Sequence, residues 1–97
     1  MTKKLQKDQP EKNQPIPSDN NDRYFYTYDL GCGSALICSG FELVSLDKAI
    51  QRKVQFIFRR EAGIEKVVKN YWADHLDVKA RTFFDNIKML KNRIYSE

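Results

Sequence analysis

Apolar patterning begins at Tyr24 and is nearly absent before it. Residues 1–22 read MTKKLQKDQPEKNQPIPSDNND, with Met1, Leu5 and Ile16 as the clearly apolar positions and all three prolines of the chain. Such a segment buries too little surface to offset its ordering entropy, so a disordered arm is expected there. Residues 23–28, RYFYTY, are aromatic and β-branched and predict a strand. Asp29 is placed to cap a helix that runs to about Ser39, where Gly40 ends it in a left-handed conformation. A second strand is predicted over Phe41 to Leu46, a polar turn over Asp47 to Arg52, and a third strand over Lys53 to Arg59. The length and spacing of the last two predict an antiparallel hairpin spanning about 41–59.

Helical periodicity follows. Ile64, Val67, Val68, Tyr71 and His75 recur at helical spacing, predicting a helix from Gly63 to about His75. Asp77 is a candidate cap for a last helix reaching Tyr95, with Phe83, Ile87, Leu90 and Ile94 as its core stripe and Phe84 and Met89 widening it. The element order β-α-β-β-α-α predicts an α+β, two-layer sandwich: a three-stranded sheet with helices on one face. We expect a tail over 1–22 and a single compact domain over 23–97. The expected core comprises Leu36, Ile37, Leu43, Phe56, Phe58, Ile64, Val67, Val68, Tyr71, Phe83, Ile87, Leu90 and Ile94.

Size narrows the function classes. At 97 residues the chain is too short for a TIM barrel or a full dinucleotide-binding domain. No run approaches the roughly 20 apolar residues of a membrane span, so no membrane partner is expected. Charge adds a location. The tail balances Lys3, Lys4, Lys7 and Lys12 against Asp8, Glu11, Asp19 and Asp22, so the net charge of +4 falls wholly on the folded part. A modest excess of this kind is compatible with a polyanionic partner.

One motif invites an enzyme. Residues 29–35, DLGCGSA, follow a strand and open a helix, and they resemble the glycine motif of S-adenosylmethionine-dependent methyltransferases, with Asp29, Gly31 and Gly33 at the family's spacing. That resemblance implies a ribose-binding acid after the next strand, for which Glu42 or Asp47 would stand. The context argues otherwise. Ala35 replaces the third glycine, only 62 residues follow it, and the next two strands pattern as a hairpin where a parallel crossover is needed. Packing explains the same letters: Gly31, Ala35 and Cys38 form a smooth helical stripe that admits a close neighbour. Other chemistry is scarce. The one histidine, His75, has no second imidazole to share a zinc, and no CxxC occurs. Cys32 and Cys38 lie six positions apart on one predicted helix, about 9 Å along its axis, so they cannot pair while it holds. Two free thiols fit a reducing cytoplasm. The expectation is a non-enzyme without cofactor or metal.

The segments YTYDL at 26–30, GFELVSLD at 40–47, KVQFIF at 53–58 and RTFFDNIKMLKNRIY at 81–95 resemble a small family of uncharacterised domains from prokaryotes and their viruses or mobile elements. The resemblance implies one compact intracellular domain and no defined activity.

Two strands carry aromatic residues at every second position: Tyr24, Tyr26 and Tyr28 on the first, Phe56 and Phe58 on the third. Basic residues flank them. This order of elements resembles an RNA-recognition-type fold, in which aromatics on two strands stack on bases. The glycines of that fold's longer motif are absent, and a helix stands where its last strand would be. Alternation leaves a choice on the third strand: if helices cover Phe56 and Phe58, the opposite face shows Gln55 and Arg59. Tyr24, Tyr26 and Tyr28 then share a face opposite Phe25, and tyrosine tolerates partial exposure better. The expected function is nucleic-acid binding, single-stranded rather than duplex, through Arg23, Tyr24, Tyr26, Lys53, Arg59 and Arg60. Arg81, Lys88, Lys91 and Arg93 on the last helix would supply further phosphate contacts. The alternative is a protein-interaction or regulatory subunit, possible as a homodimer, with Tyr71, Trp72 and Met89 as the partner patch.

Overall fold

The computed structural model describes residues 22–50 and 52–96. The arm expected over 1–22 lies outside the described residues, apart from Asp22. Six elements follow in the expected order: β1 (Tyr24–Thr27), α1 (Leu30–Cys38), β2 (Leu43–Asp47), β3 (Gln55–Arg59), α2 (Ile64–Trp72) and α3 (Ala80–Tyr95).

The strands form one antiparallel sheet in the order β1-β3-β2. β3 is central and pairs with both neighbours, so β1 and β2 run parallel to each other and α1 carries the chain between them across β3. The predicted β2–β3 hairpin is present. Leu43 lies opposite Phe58 and Leu46 opposite Phe56, with a bulge at Val44 between Leu43 and Ser45. The described part measures 35 × 34 × 19 Å. Its thinnest dimension suits one helix layer, about 10–12 Å across, on one sheet.

The core lies between sheet and helices. Phe56 and Phe58 on β3, Cys32 and Leu36 on α1, Ile64 on α2 and Leu90 on α3 are each no more than 1% exposed. Phe25, Leu43, Leu46, Val67, Val68, Tyr71, Met89 and Ile94 pack around them. Removing a phenylalanine from water contributes about 1.5–3 kcal/mol. The central pair Phe56 and Phe58 therefore fixes which face the helices cover.

α1 occupies the middle of the helix layer, touching both α2 and α3. Its residues Cys32 through Leu36 are all buried. Gly40 ends it at φ +94°, as expected. The Gly40 and Phe41 N–H groups donate to the carbonyls of Ile37 and Leu36, satisfying the helix C-terminus in a Schellman motif.

Four details depart from the sequence reading. Asp29 makes no side-chain cap bond; its own N–H donates to Thr27 Oγ1 at 3.1 Å. α2 stops at Trp72 rather than His75, because Asp74 turns left-handed at φ +62° and the His75 N–H donates back to the Asn70 carbonyl. α3 starts at Ala80 behind Lys79, leaving Asp77 in the connection. Phe84 does not widen the core: it is 55% exposed, and on α3 Leu90 is the fully buried residue, with Met89 and Ile94 packed against the cluster and the expected core residues Phe83 and Ile87 only half-buried.

Candidate functional site

Alternation along β1 and β3 sorts the aromatic residues onto two faces. Phe25 and Thr27 stand opposite Phe58 and Phe56 and point toward the helices. Tyr24 and Tyr26 stand opposite Arg59 and Ile57 and point the other way. Ser45, also opposite Ile57, and Asp47, opposite Gln55, continue this second face onto β2. None of the described helices covers it. The phenylalanines are therefore core; on the second face Tyr24 and Tyr26 are half-buried, and Gln55, expected to show there, is buried at 6% exposure.

Tyr24 and Tyr26 sit with ring centroids 6.5 Å apart and planes inclined at 63°. Both are part-exposed. At one end of the face, the Lys53 ammonium lies 5.2 Å from the centre of the Tyr28 ring, within cation–π range. At the other, Arg59 Nε donates to Glu42 Oε1 at 3.1 Å. That carboxylate pushes the already high Arg59 pKa further up, first through its hydrogen bond and then through its charge. The side chains of this pair are 50% and 61% exposed. Arg23 is exposed just ahead of β1, and its carbonyl accepts the Arg60 N–H at 2.8 Å. Tyr24, Tyr26, Lys53 and Arg59 thus share one face, whereas Arg23 is tied through its backbone to Arg60 and is not brought among them.

Arg60 belongs to the fold's other side. Its Nη1 contacts Glu65 Oε2 at 2.5 Å, its guanidinium stands 5.7 Å over the Phe25 ring, and Nε donates to the Tyr24 carbonyl at 3.4 Å. It straps β1 and β3 to α2. The four basic residues of α3 are likewise separate. They lie in the helix layer, whose Leu90 side chain is buried on the reverse of the sheet from Tyr24 and Tyr26. Arg81 pairs with Asp85 at 3.5 Å, Lys88 lies 5.0 Å over the Phe84 ring, and Lys91 and Arg93 are exposed. The sequence reading offered α3 as a second contact surface, and the fold sets it in the opposite layer from the tyrosines. That reading passed over Tyr95, 79% exposed at the end of α3. The signal was present in the spacing of Phe84, Lys88, Lys91 and Tyr95.

The glycine motif points inward. A Cβ on Gly31 would lie 3.2 Å from the Tyr71 ring carbon that carries the hydroxyl, and closer still to the hydroxyl oxygen. A Cβ on Gly33 would meet the Phe56 ring at 3.5 Å and Leu90 at 3.7 Å. Gly31 makes room for α2, and Gly33 faces β3 and α3. The adjacent strand, β3, is antiparallel to β1. The parallel neighbour that a methyltransferase-type pocket requires is not beside this turn. Burial pushes the Cys32 thiol up to about 12, partly opposed by a hydrogen bond with Thr27, so it is held as an inert thiol at neutral pH. Cys38 is part-exposed, and its Sγ accepts from Asn86 Nδ2 at 3.2 Å. His75 is exposed beyond the end of α2. Among the described residues no group of three or more His, Cys, Asp or Glu side chains could hold a metal ion. No described helix is long and apolar enough to cross a membrane.

Comparison with curated proteins and with solved structures finds no match. The profile of a domain-of-unknown-function family, DUF5659, matches residues 22–96, which is the whole patterned part of the chain and all six elements of the sandwich. The chain belongs to the DUF5659 family.

Proposed function

We propose that the domain binds single-stranded nucleic acid across the helix-free face of its sheet. The observation that carries this reading is the placement of Tyr24 and Tyr26 side by side on that face, with Arg59 beside Tyr24 and Lys53 against Tyr28. Unstacked bases would lie on the tyrosine rings, each worth about 1–3 kcal/mol. Lys53 and Arg59 would meet the phosphates. Arg59 has to exchange Glu42 for a phosphate, and an ion pair this exposed is worth no more than about 1 kcal/mol. Two phosphate contacts on a single strand give a salt slope of about −1.4. A duplex keeps its bases stacked, so it gains only the phosphate term. Two free thiols fit a reducing, cytoplasmic setting.

Fluorescence anisotropy with labelled single- and double-stranded oligonucleotides, at low and physiological salt, tests this. We expect tighter binding to the single strand, weakened by about 1–3 kcal/mol on Tyr24→Ala or Tyr26→Ala. Arg59→Gln should lower the salt slope by about one. No binding at about 50 μM protein in low salt, inside the usual range for non-specific contacts, rejects the reading. A protein partner is the second reading, and Trp72 favours it: the ring is 63% exposed and packs edge-on against Tyr71 at 5.0 Å. Tyr71 and Met89, expected with it on the partner patch, pack instead against the core. Size-exclusion over a range of concentrations checks for self-association.

A further inference from the structure

We propose that the outer side of α3 is a second phosphate-binding surface, independent of the tyrosine face, so that one domain holds two nucleic-acid segments at once. This rests on the nucleic-acid reading above and adds a second site to it.

The geometry starts from helix periodicity. Arg81, Phe84, Lys88, Lys91 and Tyr95 recur at steps of three and four residues. At 100° per residue they fall within an arc of about 80°, centred about 110° round the helix from the inward stripe of Phe83, Ile87, Leu90 and Ile94, of which Leu90 is fully buried. Over its 14 steps this line is about 21 Å long, the span of roughly six phosphates of one duplex strand. It carries three cations and no carboxylate. Asp85, one position off the line, pairs with Arg81 at 3.5 Å, with the arginine side chain 88% exposed. Such a pair exchanges readily for a phosphate.

Two aromatic rings stand among these cations without being core. Phe84 is 55% and Tyr95 79% exposed. Phe84 has a visible local role: Lys88 Nζ lies 5.0 Å over its ring, which holds the ammonium on the outer side. A stripe of cations with Phe84 between Arg81 and Lys88 and Tyr95 at its far end complements a sugar–phosphate backbone in both charge and surface. The α3 surface and the tyrosine face occupy different layers of a body 19 Å thick. A strand short enough to lie on the tyrosines leaves α3 available to a second strand.

The test uses the full chain and two readouts. In the first, two non-complementary oligonucleotides of about 20 nucleotides, one carrying a donor dye and the other an acceptor, are mixed with protein, and energy transfer reports bridging. In the second, anisotropy of a hexanucleotide at physiological salt, where stacking on the tyrosines outlasts contacts made through phosphates alone, reports the tyrosine face. We expect energy transfer with the wild type. Lys88→Gln with Lys91→Gln should abolish it, lower the salt slope for a duplex by about two, and leave hexanucleotide affinity within twofold. Circular dichroism and urea melts confirm that this exposed double variant is folded. Tyr24→Ala with Tyr26→Ala should remove hexanucleotide binding and bridging while retaining duplex binding. Bridging that survives the lysine variant overturns the second site and leaves the first intact. Hexanucleotide binding that survives the tyrosine variant overturns the first reading alone. Absence of bridging by the wild type, or lysine-dependent binding to phosphatidylserine vesicles in its place, also overturns the second site.

Discussion

Substituting Gly31 by alanine tests why the glycine motif exists. In an isolated helix the change would stabilise by up to about 1 kcal/mol, because alanine loses less backbone entropy. Here the added methyl meets the Tyr71 hydroxyl and sits 3.2 Å from the ring carbon behind it. To swing aside, the Tyr71 ring has to give up its packing against the core and its edge-on contact with Trp72 at 5.0 Å. Overpacking of this kind typically costs about 1–3 kcal/mol. The steric term exceeds the propensity term, so Gly31→Ala should destabilise by about 1–2 kcal/mol, a large share of the roughly 5 kcal/mol that a domain of this size holds. Tyr71→Phe removes the oxygen that is nearest to the new methyl. In that background Gly31→Ala should be close to neutral, leaving a contact that gives by a few tenths of an ångström. Urea melts of the four proteins in the cycle measure this, with constant m-values confirming that only stability has changed. The expected coupling is about 1–2 kcal/mol. Additive costs would refute the packing explanation and return the glycines to a binding role.

Leu90→Ala and Phe56→Ala should each cost about 2–5 kcal/mol, read as a fall in the urea midpoint, since both side chains are no more than 1% exposed. Asp74→Gly should raise stability by up to about 1 kcal/mol by relieving a left-handed backbone at φ +62° without touching α2's closing hydrogen bonds. A thiol reagent should modify Cys38 in the folded protein and reach Cys32 only on unfolding. Because burial raises the Cys32 pKa from 9.0 to about 12, the folded state holds that proton more tightly than the unfolded chain; this contribution is complete below about pH 9 and declines toward pH 12, so urea midpoints should fall over that window and fall less in Cys32→Ala.

The element order, the hairpin and the burial of Phe56, Phe58, Ile64 and Leu90 were legible because period-2 and period-3.6 patterns report directly which side of an element meets the core. Helix ends were less legible. Asp29 and Asp77 have the right chemistry for caps, but a cap also needs a backbone geometry that sequence does not display. His75 continued the α2 stripe numerically, yet Asp74 closed the helix three residues earlier. The tyrosine face was legible as an alternative between two faces, and the two phenylalanines of β3 decided it. The last helix was legible as a second surface, but the separation of Arg60 from Arg59 was missed. Arg59 and Arg60 are neighbours in sequence, but adjacent strand residues point to opposite faces. One therefore stands beside Tyr24's ring and the other over Phe25's.

The same economy that makes so short a chain foldable leaves it with surfaces to use. α1 sits centrally, and Gly31, Gly33, Ser34 and Ala35 give it a narrow girth, so α2 and α3 close in on either side of it. That arrangement buries one face of a three-stranded sheet with three helices and leaves nothing among the described residues for the other. β3 accordingly commits both phenylalanines to the covered side, and β1 places its phenol-bearing rings on the uncovered one, where a hydroxyl can meet water and a ring can meet a ligand. On α3 the same constraint acts in reverse. Its core stripe is used up by α1 and the sheet, so Phe84 and Tyr95 fall outside it beside Lys88 and Lys91. In both layers, aromatic rings outside the core cluster stand next to basic side chains, Tyr24 beside Arg59 and Phe84 beneath Lys88.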